Sequence, residues 1–361
     1  MALGRERVFF AAGNTPQGFV NFFHDIASGD EREIYIIKGG PGTGKSKLMK
    51  NISRAAISEG YDVEVIKCSS DPDSYDGLRI PELKKTILDG TAPHTMDMDV
   101  PGARDHIVNL GDFWNSDMLQ KHKSDIINLS FQKSESYTRM YNYLKAAGCI
   151  YANTERATSN ALSLGSLNIF TKNICDNFFA DLDISCRPGR VRNMFGSAIT
   201  PKGIQTTLNT LFRNMKVYVL KCDYGNAASH IIDQLQGEAV KRGFYVESLK
   251  CPFSPSRTEH LIIPKLSLAF TTHNKYHAET DCDVFGEYLL NVYYNDLITE
   301  PYLKDMEYDL FRVQELIDKA GRHLEKSRLY HRQIEDFYTS CMDFDGINQL
   351  TSELTDNILQ R

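Results

Sequence analysis

This chain of 361 residues has no long apolar run, no closely spaced cysteine pair and no excess of positive charge. Without about 18 consecutive apolar residues it offers no candidate membrane-spanning helix. Its first 20 residues interrupt the apolar positions with Arg5, Glu6, Arg7 and Asn14, so the continuous hydrophobic stretch of a signal peptide is missing too. Eight cysteines stand at 68, 149, 175, 186, 222, 251, 282 and 341, and none forms the Cys-x-x-Cys pair of a zinc or redox site. The net charge of -6 supplies no global positive field to draw in phosphodiester backbones, although a local basic groove stays open. These absences point to a cytoplasmic protein with reduced thiols, no membrane partner and no strong nucleic-acid signal. What is present, 42% hydrophobic and 24% charged residues, suits a folded chain long enough for two domains or more.

The chain is written twice. Residues 34–94 slide over 217–277 without a gap and are identical at 16 of 61 positions, among them Tyr35 and Tyr218, Gly42 and Gly225, Ser46 and Ser229, and Gly60 and Gly243. Val63-Glu64 match Val246-Glu247, Lys67-Cys68 match Lys250-Cys251, and Ile80-Pro81 match Ile263-Pro264. Upstream, Thr15-Pro16-Gln17-Gly18 answers Thr200-Pro201-Lys202-Gly203. Downstream, Phe113-Trp114-Asn115 answers Tyr293-Tyr294-Asn295, and Asp176-Asn177 answers Asp356-Asn357. The reading is a duplicated unit, with copies at 1–188 and 189–361.

Within each copy the Thr-Pro pair predicts a capped helix start. A short apolar strand follows, Ile34 to Ile37 or Val217 to Leu220, and then a turn and an amphipathic helix with Leu48, Ile52, Ala55 and Ala56 on one face. Gly60 ends that helix and Asp62 to Lys67 form the next strand. Strand, helix and strand in this order imply a three-layer α/β/α fold with a mainly parallel sheet and right-handed crossovers. The character then turns to long helices. Leu303, Met306, Leu310, Val313, Ile317, Ala320 and Leu324 alternate steps of three and four, and Tyr137, Met140, Leu144, Ala147 and Tyr151 repeat the spacing. Such seams are expected to pack on each other or on their own α/β core. The resulting division is a core at 1–99 with a helical extension at 100–188, then a core at 189–282 with an extension at 283–361.

Gly39-Gly40-Pro41-Gly42-Thr43-Gly44-Lys45-Ser46, followed by Lys47, fits Gly-x4-Gly-Lys-Ser/Thr and lies between the first strand and the amphipathic helix. Glycines let successive N–H groups curl toward one concavity at the positive end of a helix, where anionic oxygens bind. Lys45 adds a mobile charge for the phosphates, and the Ser46 hydroxyl is the expected magnesium ligand. The implied ligand is a nucleoside triphosphate with Mg2+. ATP is favoured over GTP because Asn274-Lys275-Tyr276-His277 breaks the Asn-Lys-x-Asp pattern.

In the second copy the same positions read Cys222-Asp223-Tyr224-Gly225-Asn226-Ala227-Ala228-Ser229. The lysine is gone, and Asp223 would meet phosphate with about 4 kcal/mol of repulsion at about 4 Å and an effective dielectric near 20. This copy is expected not to bind a triphosphate in the same way, and to serve as a structural or regulatory partner. Features kept in both copies, such as Cys68 and Cys251 or His94 and His277, then read as scaffold. Asp89 has Thr272 as its counterpart and ends the short segment Thr86-Ile87-Leu88, where a carboxylate can hold magnesium or its water. Asp71 and Asp73 lie on the loop Ser69 to Asp76, at the sheet edge where α/β folds bind ligands, and could orient water or substrate. Arg104, Arg242 and Arg257 are candidates to stabilise transition-state charge.

Lys-Gly-Gly-Pro-Gly-Thr-Gly-Lys-Ser (38–46), Cys-Ser-Ser-Asp (68–71), Ile-Pro-Glu-Leu (80–83), Asp-Gly-Thr-Ala-Pro-His (89–94), Phe-Gly-Ser-Ala-Ile-Thr-Pro (195–201) and Met-Asp-Phe (342–344) span nearly the whole chain. In these segments it resembles a family of bacterial tandem P-loop ATPases. The resemblance implies ATP binding at Gly39 to Ser46 and adds no substrate. In that family the second half can also carry a P-loop, from which this chain departs. The leading expectation is an ATPase with one competent site. A small-molecule phosphotransferase and a nucleotide-dependent binding module with little turnover are the alternatives.

Overall fold

Alternating apolar residues in short β-branched runs make strands, and the same residues at helical spacing make helices; the computed structural model shows both patterns realised twice. It describes residues 3–27, 31–93, 96–223, 225–273 and 283–360. His94, His277 and Tyr224 lie outside them. In the first half β1 (Glu6–Phe9), the hairpin β2 (Ala12–Thr15) and β3 (Gly18–Asn21), and α1 (Phe23–Ala27) lead to β4 (Glu33–Lys38) and α2 (Lys45–Ser58). Strands β5 (Val63–Lys67), β6 (Tyr75–Ile80), β7 (Lys85–Asp89) and β8 (Asp105–Asn109) precede α3 (Ser116–Lys121), the long α4 (Lys123–Ala161) and α5 (Leu164–Phe179). The second half repeats the series. It has β9 (Val191–Met194), β10 (Ser197–Thr200), β11 (Gly203–Thr206), α6 (Leu208–Leu211), β12 (Lys216–Lys221) and α7 (Gly225–Lys241). Then come β13 (Val246–Lys250), β14 (Thr258–Ile263), β15 (Leu268–His273), β16 (Val284–Leu289), α8 (Asp296–Thr299), α9 (Leu303–Thr339) and α10 (Phe344–Leu359).

The first sheet runs β1-β5-β6-β7-β4-β8 and the second β9-β13-β14-β15-β12-β16, which is one topology written twice. Each sheet is mixed. Strands β6 and β14 run antiparallel to both neighbours, while the other five strands of each sheet run in one direction, so each sheet is mainly parallel with a single reversed strand. The stretch after Lys67 turns back at once: the Ser74 amide bonds to the Asp71 carbonyl at 2.8 Å, too short a connection for a parallel crossover.

The Thr-Pro pair does not start a helix either. Thr15, Pro16, Gln17 and Gly18 form the turn of the β2–β3 hairpin, where Gly18 takes a φ of 106° and the Thr15 hydroxyl donates to its carbonyl at 2.8 Å. Thr200 to Gly203 repeat this turn, with φ 88° at Gly203 and the same 2.8 Å bond. Proline suits the second position of a turn as well as the first of a helix, and the glycine at positive φ decides between them.

The chain forms two compact units that cut across the sequence halves. The first comprises 1–12, 21–140 and 320–361, and the second comprises 13–20 and 141–319. In the first unit α10, from the second half of the sequence, packs on α2: Leu354, Ile358 and Leu359 share one core with Leu48, Met49, Ile52 and Ala56. In the second unit α5, from the first half, packs on α7 through Leu167, Ile174 and Phe179 against Ile231, Ile232 and Leu235. The helical extensions therefore complete the other half's core rather than their own. The exchange is repeated in detail. Asn115 N–H donates to the Cys341 carbonyl and Asp343 N–H to that of Phe113, both at 2.8 Å; Asn295 to Ala161 and Ser163 to Tyr293 mirror them at 2.8 Å. The seam positions Met306, Val313, Ile317, Ala320 and Leu324 are buried, as are Met140, Leu144 and Ala147. Among the described residues no helix is long and apolar enough to cross a membrane.

Candidate functional site

In the first unit β4 delivers the chain to Gly39 and α2 takes it up at Lys45, so Gly39 to Gly44 form the loop between a buried strand and a helix N-terminus. Gly42 and Gly44 adopt φ of 68° and 89°, a left-handed conformation that curls the loop and that side chains disfavour. Thr43 is buried, and its hydroxyl bonds to the Gly40 carbonyl at 2.9 Å. Pro41 is half-buried, whereas Lys47 is exposed on the first turn of α2.

Lys45 is folded into this loop. Its ammonium donates to the Gly39 and Gly40 carbonyls at 2.9 and 2.8 Å and stands 3.8 Å from Asp89 Oδ2. Burial lowers its pKa, and Asp89, Glu335 and Asp76 oppose that shift. A buried ammonium held by carbonyl dipoles at the positive end of a helix is a ready counter-charge for an anion. Asp89 closes β7, next to β4, and its Oδ1 is fixed by the Thr91 amide at 2.9 Å and by the Thr91 hydroxyl. The Ser46 hydroxyl oxygen accepts the Tyr75 amide at 3.0 Å. Lys45, Ser46 and Asp89 thus converge at one end of the sheet. Ser46 and Asp89 supply the hard oxygen donors that Mg2+ takes alongside phosphate oxygens and water.

The two loop acids separate. Asp71 is held by Arg328 Nη1 at 3.2 Å and by the Ser74 hydroxyl at 2.7 Å. Asp73 is exposed, and its main-chain carbonyl accepts from Lys50 Nζ. Of the arginine candidates, Arg104 is tied to Asp105 at 2.6 Å and Asp99 at 3.3 Å, Arg242 pairs with Glu238, and Arg257 pairs with Glu155.

Groups that the motif did not reveal come from the end of α9. A Cβ on Gly40 would stand 2.7 Å from the Tyr338 ring, and one on Gly42 would stand 2.7 Å from the Glu335 carbonyl and 2.8 Å from Thr339 Oγ1. These glycines are required by the helix lying across the loop. The Glu335 carboxyl is pushed up by burial and by Asp71, while the Gly42 amide and Lys45 pull it back. Beside it, His331 receives Lys133 Nζ on Nδ1 at 3.4 Å and directs Nε2 toward Glu335 at 3.6 Å. An ammonium has no lone pair, so Nδ1 is the acceptor and Nε2 carries the proton. Burial together with Lys133 and Lys45 lowers the His331 pKa to about 4, which keeps the imidazole neutral. A signal for these residues was present. The α9 seam, apolar as far as Leu324, continues at the same spacing through Arg328, His331 and Glu335.

In the second unit the corresponding loop has closed. Helix α7 starts at Gly225, the counterpart of Gly42, three residues earlier than α2 does. Ala227 stands where Gly44 turns left-handed, and alanine favours continuing the helix instead. The Ala227 amide donates to Tyr294 Oη at 3.2 Å and the Asp223 amide to Asn291 Oδ1 at 3.1 Å, so loop donors are spent on side chains.

Comparison with family models, with curated proteins and with solved structures returned no match to this chain.

Proposed function

We propose that the first unit binds Mg-ATP at Gly39 to Ser46 and hydrolyses it, while the second unit is catalytically silent. One observation carries this reading: a glycine-curled main chain at a helix N-terminus wraps a buried Lys45 ammonium, with Ser46 and Asp89 at the same sheet end. On binding, Lys45 Nζ would exchange the Gly39 and Gly40 carbonyls for phosphate oxygens, and the loop amides would donate to the same anion. Ser46 and Asp89 would hold Mg2+, which supplies charge neutralisation across the phosphates. Thr91 keeps the Asp89 carboxylate in its rotamer, and Tyr338 shields the loop from water on the Gly40 side.

Phosphate release with ATP and magnesium, measured on the wild type and on Lys45→Ala, tests the reading. Release without any acceptor that vanishes in the variant supports an ATPase. Release that requires an added hydroxyl compound moves the assignment to a phosphotransferase, and turnover unaffected by the substitution overturns it.

A further inference from the structure

Three carboxylates act electrostatically on Lys45: Asp89, Glu335 and Asp76. Asp89 is fixed by Thr91 and faces the ammonium, and Asp76 is buried, at 5% exposure. Glu335 differs from both. It reaches the loop from α9 and accepts the Gly42 amide, yet 39% of its side chain stays exposed, so water reaches it beside the loop. Asp71, the other acid considered for orienting water, is tied to Arg328 and to the Ser74 hydroxyl.

We infer that Glu335 is the general base of the proposed hydrolysis, with His331 and Lys133 as the residues that position it; the inference rests on the Mg-ATP reading of the first unit. A chain of side chains is its first ground. Lys133 on α4 donates to His331 Nδ1 at 3.4 Å, and His331 Nε2 points at Glu335 Oε1 across 3.6 Å. Lys133 thereby selects the tautomer that presents an N–H to the carboxylate. A neutral imidazole orients Glu335 without acidifying it as a cation does. The 3.6 Å spacing is loose, as catalytic contacts are before substrate arrives.

The duplication is the second ground. The mirrored contacts pair Asn115 with Asn295 and Ala161 with Cys341, a register of 180 residues through the helices. In that register Tyr151 replaces His331 and Val313 replaces Lys133, while Ala228 replaces Lys45 in the loop. Glu155, the counterpart of Glu335, is held in an ion pair by Arg257. The unit that lost the loop lysine has therefore lost both positioning groups as well, and its acid is neutralised.

In the proposed step a water oxygen bonds to the γ-phosphorus of ATP as the bond from that phosphorus to the bridging oxygen breaks, and the electron pair leaves with ADP. The water proton passes to a Glu335 carboxylate oxygen and from there to solvent. Lys45 and the Gly42 amide, which both act on Glu335, belong to the loop that cradles the terminal phosphates, so base and reacting atom meet in one place. Burial and Asp71 raise the Glu335 carboxyl above its ordinary 4.5, against the pull of the Gly42 amide, Lys45 and Arg332; Lys133 faces it too, from α4. Because the base must be ionised, kcat should rise with pH along an acid limb lying above 4.5.

The test measures Mg-ATP affinity by calorimetry and phosphate release at saturating ATP across pH, both on the full chain. Glu335→Gln should lower kcat by about a hundredfold or more and erase the acid limb, while binding Mg-ATP at least as tightly as the wild type. Glu335→Asp, which keeps a carboxylate, should recover part of the rate. His331→Gln should lower kcat by roughly tenfold with KM unchanged. Wild-type turnover in Glu335→Gln, or affinity lost in step with turnover, would overturn the assignment of the base while Lys45-dependent binding stands. Nucleotide affinity that survives Lys45→Ala would overturn the Mg-ATP reading, and this inference with it.

Discussion

Loop 39–46 in the first unit and loop 222–229 in the second descend from one pattern, sit after equivalent strands in sheets of identical order, and have opposite fates. In the first, Gly44 at φ 89° holds the chain out of α2 until Lys45. In the second, alanines at 227 and 228 let α7 begin at Gly225, and the arc of amides is wound into helix. Losing the lysine removed a charge; losing the left-handed glycine removed the concavity itself. The covering helices follow suit. Glu335 lies over the first loop and is acted on by Lys45, whereas its counterpart Glu155 is neutralised by Arg257. A duplicated scaffold can therefore reshape one loop by backbone conformation and keep its sheet order unchanged.

The exchanged helices give the largest expected effects. Ile358→Ala removes a fully buried side chain of α10 and should destabilise the first unit by about 2–5 kcal/mol in urea unfolding, and Ile174→Ala should act likewise on the second. Equal loss of both units from either change would show that the two cores are not separately completed. Gly44→Ala makes the first loop imitate the second. It imposes about 1–3 kcal/mol of backbone strain on the open loop, so Mg-ATP affinity should fall by roughly tenfold or more while far-ultraviolet circular dichroism is preserved.

A gain is expected from Glu335→Gln. Removing a carboxylate that faces the Gly42 amide and Lys45 should tighten nucleotide binding several-fold, to about tenfold, in a fluorescence titration. Weaker binding would show that Glu335 supports the loop rather than competing for it. The smallest effect concerns pH. The His331 pKa is lowered to about 4 in the fold from an ordinary 6.5, so the unfolded chain binds its proton first. The stability contributed is present above pH 6.5 and is lost as pH falls toward 4. Melting temperature against pH should flatten across that window in His331→Gln.

Much of this was legible because glycine and lysine carry chemistry that few other residues can replace. The repeat, the Gly39 to Ser46 loop and the strand ending at Asp89 follow from local pattern, and each is where the residues indicate. The Thr15-Pro16 and Thr200-Pro201 turns were missed because proline is equally at home in a helix start, and the glycine two residues later carried the deciding signal. The antiparallel β6 and β14 were hidden because direction depends on the length of the connection, not on the apolar pattern of the strand. The exchange of α5 and α10 lay beyond the sequence for a different reason. The two cores are near-copies, so a helix that fits one fits the other, and only tertiary placement chooses. That ambiguity concealed Arg328, His331 and Glu335, whose spacing on α9 marked a polar face without saying what it covers.

Lys45, inside a glycine-curled loop, is proposed to give this chain one nucleotide site. Calorimetric titration of the full chain with Mg-ATP measures it most directly. A stoichiometry of one is expected, with affinity reduced by roughly a hundredfold or more in Lys45→Ala. Two equivalents bound, or an affinity that survives the substitution, would contradict it.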